Sequence, residues 1–111
     1  MNRVTLCGRL GKAPDLKTLP SGQTVARLRL ATNEIGPKKP DGTREKRTEW
    51  HTLTAWGKTA ELAGKYLAKG SEVLIEGRLQ TREWEKDGTK RYSTEVVVDR
   101  LEFVGSRPSQ S

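Results

Sequence analysis

The 111 residues suffice for one domain with a small core, because hydrophobic residues make up only 32% of the chain and charged residues another 32%. Lysine and arginine outnumber aspartate and glutamate 21 to 14, a net charge of +7 that favours a polyanionic partner, nucleic acid ahead of an anionic membrane. A single cysteine and a single histidine exclude an intrachain disulfide, a cysteine-based metal cluster and a His–His metal pair.

No run approaches the roughly 20 apolar residues needed to cross a bilayer. The lone cysteine fits a reducing cytoplasm, the expected location. The start Met1-Asn2-Arg3-Val4-Thr5-Leu6 enters an alternating strand directly, so no signal peptide is expected.

In the first strand Val4, Leu6 and Leu10 alternate with Arg3, Thr5 and Arg9. Gly8 and Gly11 read as bends of the kind small barrels need. Cys7 falls opposite Leu6 and is expected to be a half-buried packing residue. The outward face, Thr5, Cys7 and Arg9, offers an edge that pairs readily with another subunit.

Pro20-Ser21-Gly22 marks a turn. In the second strand Ala26, Leu28 and Leu30 alternate with Val25, Arg27 and Arg29, as far as about Asn33. From Gly36 to Gly42 two prolines and two glycines exclude regular structure and predict a mobile, basic hairpin loop. Lys38 and Lys39 in that loop are placed to meet phosphates.

The third strand, Thr48 to Lys58, organises the chain. Trp50, Thr52, Thr54 and Trp56 share one face, and His51, Leu53 and Ala55 the other. The first face holds two large aromatics and no aliphatic run, with Arg44, Lys46 and Arg47 before it and Lys58 after. Flat rings flanked by cations suit nucleobases above and phosphates beside them. The alternative places both tryptophans in the core.

A helix is expected from Lys58 to Lys69, with Leu62, Ala63, Tyr66 and Leu67 as its apolar face. Glu61 suits its first turn, Lys69 its last, and Gly70 its stop. The fourth strand has Val73, Ile75, Leu79 and Thr81 on one face. Leu74, Glu76, Arg78, Gln80, Arg82 and Trp84 form the other, and Gly77 reads as a bend. Asp87-Gly88 is a hairpin signal. The last strand carries Tyr92, Thr94, Val96 and Val98 on one face and continues through Leu101 and Phe103.

This order predicts an all-β fold. It is an OB-fold, a five-stranded Greek-key barrel with one short α-helix between strands 3 and 4. The domain spans residues 1–104, and 105–111 form a polar tail expected to be disordered. Trp84 shares its face with Arg78, Gln80 and Arg82, repeating the pattern around Trp50 and Trp56 and strengthening the stacking reading. Core tryptophans packed by arginine stems are the alternative. No nucleophile elbow or phosphate cradle occurs, so no enzyme activity and no cofactor are expected.

The runs Thr48-Glu49-Trp50-His51, Trp56-Gly57-Lys58, Ala60-Glu61-Leu62, Tyr66-Leu67 and Lys69-Gly70-Ser71 resemble the bacterial-type single-stranded DNA-binding proteins. So do Glu76-Gly77-Arg78-Leu79, Thr81-Arg82, Trp84, Arg91-Tyr92, Thr94-Glu95-Val96-Val97-Val98 and the opening Asn2-Arg3-Val4. The resemblance covers about residues 2–104. It implies binding of single-stranded DNA with little sequence preference, in replication, recombination and repair, by a homo-oligomer that is usually a tetramer. Stacking aromatics carry over to Trp50, Trp56 and Trp84, and a DNA-facing tyrosine to Tyr66, which the helix reading assigns to the core. Cationic contacts carry over to Arg3, Lys58, Lys69, Arg82 and Arg91, and a subunit-contact histidine to His51.

The chain also departs from the pattern. Well-studied members carry a further tryptophan where Gly36 stands, and a basic residue is common where Thr52 stands. The family's acidic, Phe-terminated tip has no counterpart in this sequence, which leaves either a short form (a phage, plasmid or specialised member) or a native chain that continues past Ser111. Replication and repair partners are not carried over through a tail. The rivals are a replication-restart accessory protein of the same fold, binding DNA and a helicase or primase, and an oligosaccharide-binding OB module. Neutral sugars do not call for a charge of +7.

Overall fold

The computed structural model describes residues 1–104. Alternating sequences become strands β1 (Val4–Leu10), β3 (Thr24–Lys38), β4 (Arg44–Trp56), β5 (Glu72–Lys86) and β6 (Thr89–Phe103). A short strand, β2 (Asp15–Thr18), follows β1, and the helix α1 (Gly57–Tyr66) connects β4 to β5. The sheet runs β1-β5-β6-β4-β3-β2, and a further β1–β3 pairing closes it. The result is the five-stranded OB barrel with β2 laid against β3 outside the closure. One helix lies between the third and fourth barrel strands, as expected.

Closure depends on a short parallel contact between β4 and β6, Leu53↔Val96 and Thr54↔Val97. Strands cross closely at two glycines. A β-carbon on Gly8 would lie 2.1 Å from the Ala31 carbonyl oxygen, and one on Gly77 at 2.1 Å from that of Val97. Inside sit Leu28, Leu30, Leu53, Val73 and Ile75, all fully buried, with Leu10, Ala26, Ala55, Val96 and Val98. Val4, Leu6, Leu101 and Phe103 pack partly against them.

Several expectations need correction. β2 was not foreseen: all four of its residues are exposed, and it exists through backbone pairing to β3. Regular structure is not excluded from Gly36 onward, because β3 continues to Lys38. Pairing slips between Ile35 and Lys38 and resumes at Lys38↔Arg44, so the irregularity takes up Pro37, which has no N–H to give. Only Lys39 to Thr43 turns, closed by Lys39 N–H to Thr43 O at 2.6 Å.

The helix begins one residue early and ends at Tyr66. Gly57, at φ +60, lets β4 turn directly into it. Glu61 is therefore outside the first turn, and Lys69 lies past the last. Its buried face is Ala60, Ala63 and, just beyond the end, Leu67; Leu62 and Tyr66 are exposed. Gly64 lets Leu16 of β2 cross the helix closely: a β-carbon there would be 2.4 Å from a Leu16 methyl.

On β5, Leu79 and Thr81 do not face the core. From Arg78 onward β5 is exposed, and beyond the Gln80–Glu95 pairing the β5–β6 pair leaves the barrel as an exposed ribbon. On β6 not only Val96 and Val98 but also Val97 and Glu95 are buried. Cys7 is exposed rather than half-buried. The predicted tail 105–111 lies outside the described residues.

Candidate nucleic-acid interface

The period of two that buries Leu53 and Ala55 turns the opposite face of β4 outward. Trp50 is 48% exposed and Trp56 42%, with half-buried Thr52 and Thr54 between them. Six residue steps along the strand set the two positions about 20 Å apart. The core reading of these tryptophans therefore fails on burial alone.

β3 supplies cations beside them. Its register with β4 sets Val25 opposite Trp56, Arg27 opposite Thr54, Arg29 opposite Thr52 and Ala31 opposite Trp50. The Arg29 guanidinium lies 5.5 Å from the Trp50 ring centre, a cation–π contact, and donates to Thr52 Oγ1 at 3.2 Å. Gly11, after β1, leaves room for that ring: a β-carbon would come within 2.5 Å of Trp50 Cζ3.

The exposed ribbon of β5 and β6 carries the third ring. Trp84 is 44% exposed and stands opposite Arg91, and Arg82 stands opposite Ser93. A cleft of 530 Å³ opens between this ribbon and β2. Leu16, Leu19, Val25, Trp56 and Val97 line its apolar side, and Arg27, Thr54, Gln80, Arg82 and Glu95 its polar side. A neighbouring hollow of 400 Å³ holds Trp84 with Arg27, Arg82 and Ser93. Another links Lys12, Arg29, Thr52 and Glu95, and a fourth holds Trp50 with Gly11, Lys12 and Arg29. Arg27, Arg29 and Glu95 are shared walls, so the three tryptophans lie along one connected surface.

Glu95 is 4% exposed. Burial pushes its carboxyl up, but the Thr54 hydroxyl and the Arg27 and Arg82 guanidiniums outweigh that and hold it below the ordinary 4.5. It is therefore a carboxylate at neutral pH.

The other expected residues are distributed unevenly. Lys58 follows Trp56 at the start of α1 and is exposed, as is Lys69 beyond the helix end. Tyr66, 43% exposed, has the Lys65 ammonium 5.4 Å from its ring centre. Lys38 and Lys39 are exposed at the tip of the β3–β4 ribbon. Arg3 stands elsewhere: it pairs with Glu76 at 3.1 Å, in a hollow with Asn2, Asp99 and Arg100. Thr5 and Cys7 are exposed on β1, opposite Glu76 and Leu74. His51 is half-buried, with Nε2 2.9 Å from Thr32 Oγ1.

Sequence reasoning missed Arg27, Arg29 and Glu95 as members of this surface. The alternation in Val25–Leu30 already set both arginines on the polar face. Only the register shows that this face adjoins Trp50 and Trp56.

The family model of the single-strand binding proteins matches residues 1–104. The chain belongs to the single-strand binding protein family. It is 46% identical over 111 residues to the single-stranded DNA-binding protein 1 of Chlorobaculum tepidum, covering 98% of this chain and 68% of that one. A solved structure of the Plasmodium falciparum SSB in complex with ssDNA superposes with a TM-score of 0.84 at 33% identity, covering 95% of this chain and 96% of that chain. A single-stranded DNA-binding protein from Thermus aquaticus gives 0.83 at 32% identity, over 96% of this chain and 52% of the other. Members of this family are DNA binders without catalytic activity.

Proposed function

We propose that this chain binds single-stranded DNA with little sequence preference, and protects exposed strands during replication, recombination and repair. The observation that carries this reading is the exposure of Trp50, Trp56 and Trp84 along one surface threaded by Arg27, Arg29, Arg82 and Arg91. Bases stack on the rings, and every base has a π-face, so sequence matters little. Phosphates meet the cations, with Lys38, Lys39, Lys58 and Lys69 extending the track. Each stacked base contributes about 1–3 kcal/mol.

The working unit is a homotetramer with two-fold interfaces built partly from β1. The exposed Thr5 and Cys7 favour this, as does the position of His51, whose partner Thr32 lies beside Gly8. Light scattering at micromolar concentration tests it, and a monomer refutes it.

Titration with oligo(dT) tests the main reading. The three tryptophans dominate the intrinsic fluorescence, so binding quenches it, and affinity falls steeply as salt rises. Absence of both quenching and binding at low salt would refute the function.

A further inference from the structure

Four strands bring one carboxylate and two guanidiniums together in the middle of this surface. Glu95 on β6 accepts from Thr54 Oγ1 on β4 at 2.7 Å through Oε1. Its Oε2 accepts from Arg27 on β3 at 2.5 Å and from Arg82 on β5 at 3.2 Å. The carboxylate is buried, whereas the two arginine side chains are 50% and 56% exposed. A negative charge thus sits beneath two positive heads that remain open to solvent. Such a charge opposes the attraction of phosphates unless it performs another task on the same surface.

We propose that Glu95 is a positioning residue for DNA binding. It fixes Arg27 and Arg82 as a preformed pair between Trp56 and Trp84 and cancels one of their two charges. The triad then neutralises one phosphate, not two. This rests on the reading that the tryptophan surface binds single-stranded DNA. Both arginines line the hollow of Trp56 and that of Trp84, so the pair spans the two rings. Arginine side chains lose much rotamer freedom when fixed. Here the fixing accompanies folding, and the strand meets cations already in place. The nearby Lys12 and Asp15 pair with each other at 2.9 Å and leave the local balance unchanged.

The test is the salt dependence of oligo(dT) binding by the 111-residue chain and two variants. Glu95→Gln removes the charge, and Glu95→Asp keeps it while perturbing the packing. Releasing one arginine charge steepens the slope by about 0.7, so the affinity lost between 50 and 200 mM salt grows about 2.6-fold. Glu95→Asp keeps the wild-type slope. Equal slopes in both variants overturn the proposal.

If Glu95→Gln does not fold, the exposed partners serve instead. Arg27→Gln and Arg82→Gln each lower the slope by about 0.7, and the double substitution lowers it no further. A double substitution that lowers it by about 1.4 means independent arginines and also overturns the proposal. A wild type that binds no oligo(dT) sinks the DNA-binding reading and this inference with it. Normal wild-type binding with unaltered variant slopes sinks the role of Glu95 alone.

Discussion

Gly11→Ala tests whether the Trp50 platform is built in advance. The added methyl would lie 2.5 Å from Trp50 Cζ3 and 2.7 Å from Cη2. Carbon atoms settle about 3.5–4.0 Å apart, so the ring must retreat by about 1 Å or more. It can do so because it is the free end of a half-exposed side chain. Retreat spoils the Arg29 contact, worth about 0.5–1 kcal/mol at an exposed site. Alanine offsets this by about 0.4–1 kcal/mol through lower entropy of the unfolded chain. Stability should therefore stay within about 1 kcal/mol of wild type. Binding should not: a lost stack is worth about 1–3 kcal/mol, or about 5- to 140-fold in affinity. Tryptophan quenching by oligo(dT) and a thermal melt read the two quantities separately, with Trp50→Ala as the reference. Suppose Trp50→Ala weakens binding while Gly11→Ala binds like wild type. Then a displaced ring stacks as well as a held one, and preorganisation by Gly11 is refuted.

Trp56→Ala should cost about 1–3 kcal/mol of binding with the salt slope unchanged, whereas Leu53→Ala, on the buried face of the same strand, should cost about 2–5 kcal/mol of stability; paired titrations and melts check both. Lys38→Ala with Lys39→Ala should lower the salt slope by about 0.7 per lysine without moving the melt. Glu95, whose folded pKa lies below the ordinary 4.5, contributes stability that is fully present above about pH 4.5 and lost as pH falls through the depressed value, because the unfolded chain binds the proton first. Melts between about pH 5 and pH 3 should show wild type losing more stability than Glu95→Gln.

The parts of this chain that announced themselves were those with one strongly apolar face. β4 could be read because Leu53 and Ala55 alternate with tryptophans and threonines. The helix face was read only in part, Ala63 and Leu67 being buried as expected, for the converse reason. Its buried positions are Ala60 and Ala63, which carry little hydrophobic signal, while the conspicuous Leu62 and Tyr66 point outward. β2 had no local signature, since its ordering comes from backbone pairing with β3. Pro37 misled because its missing N–H matters only where a ladder bond is due, and the slip in register removes that demand. Arg27, Arg29 and Glu95 were visible as residues but not as neighbours. The Thr54–Arg27–Arg82–Glu95 group joins four strands, and no local pattern encodes that.

The division between barrel and ribbons explains how one small chain carries both a fold and a polyanion surface. None of residues 33–50 and none of 78–94 is buried. These two ribbons hold Lys38, Lys39, Trp50, Arg82, Trp84 and Arg91. Stability resides in the closed strands, so most of the proposed binding groups can change without breaching the core. Trp56, Arg27, Arg29 and Glu95 are among the exceptions, because their strand segments also close the barrel. A one-residue slip of β4 there would send Leu53 and Ala55 out and Trp50 and Trp56 in. The apolar face thus fixes the register, and that register places the two rings on the surface, beside the arginines of β3.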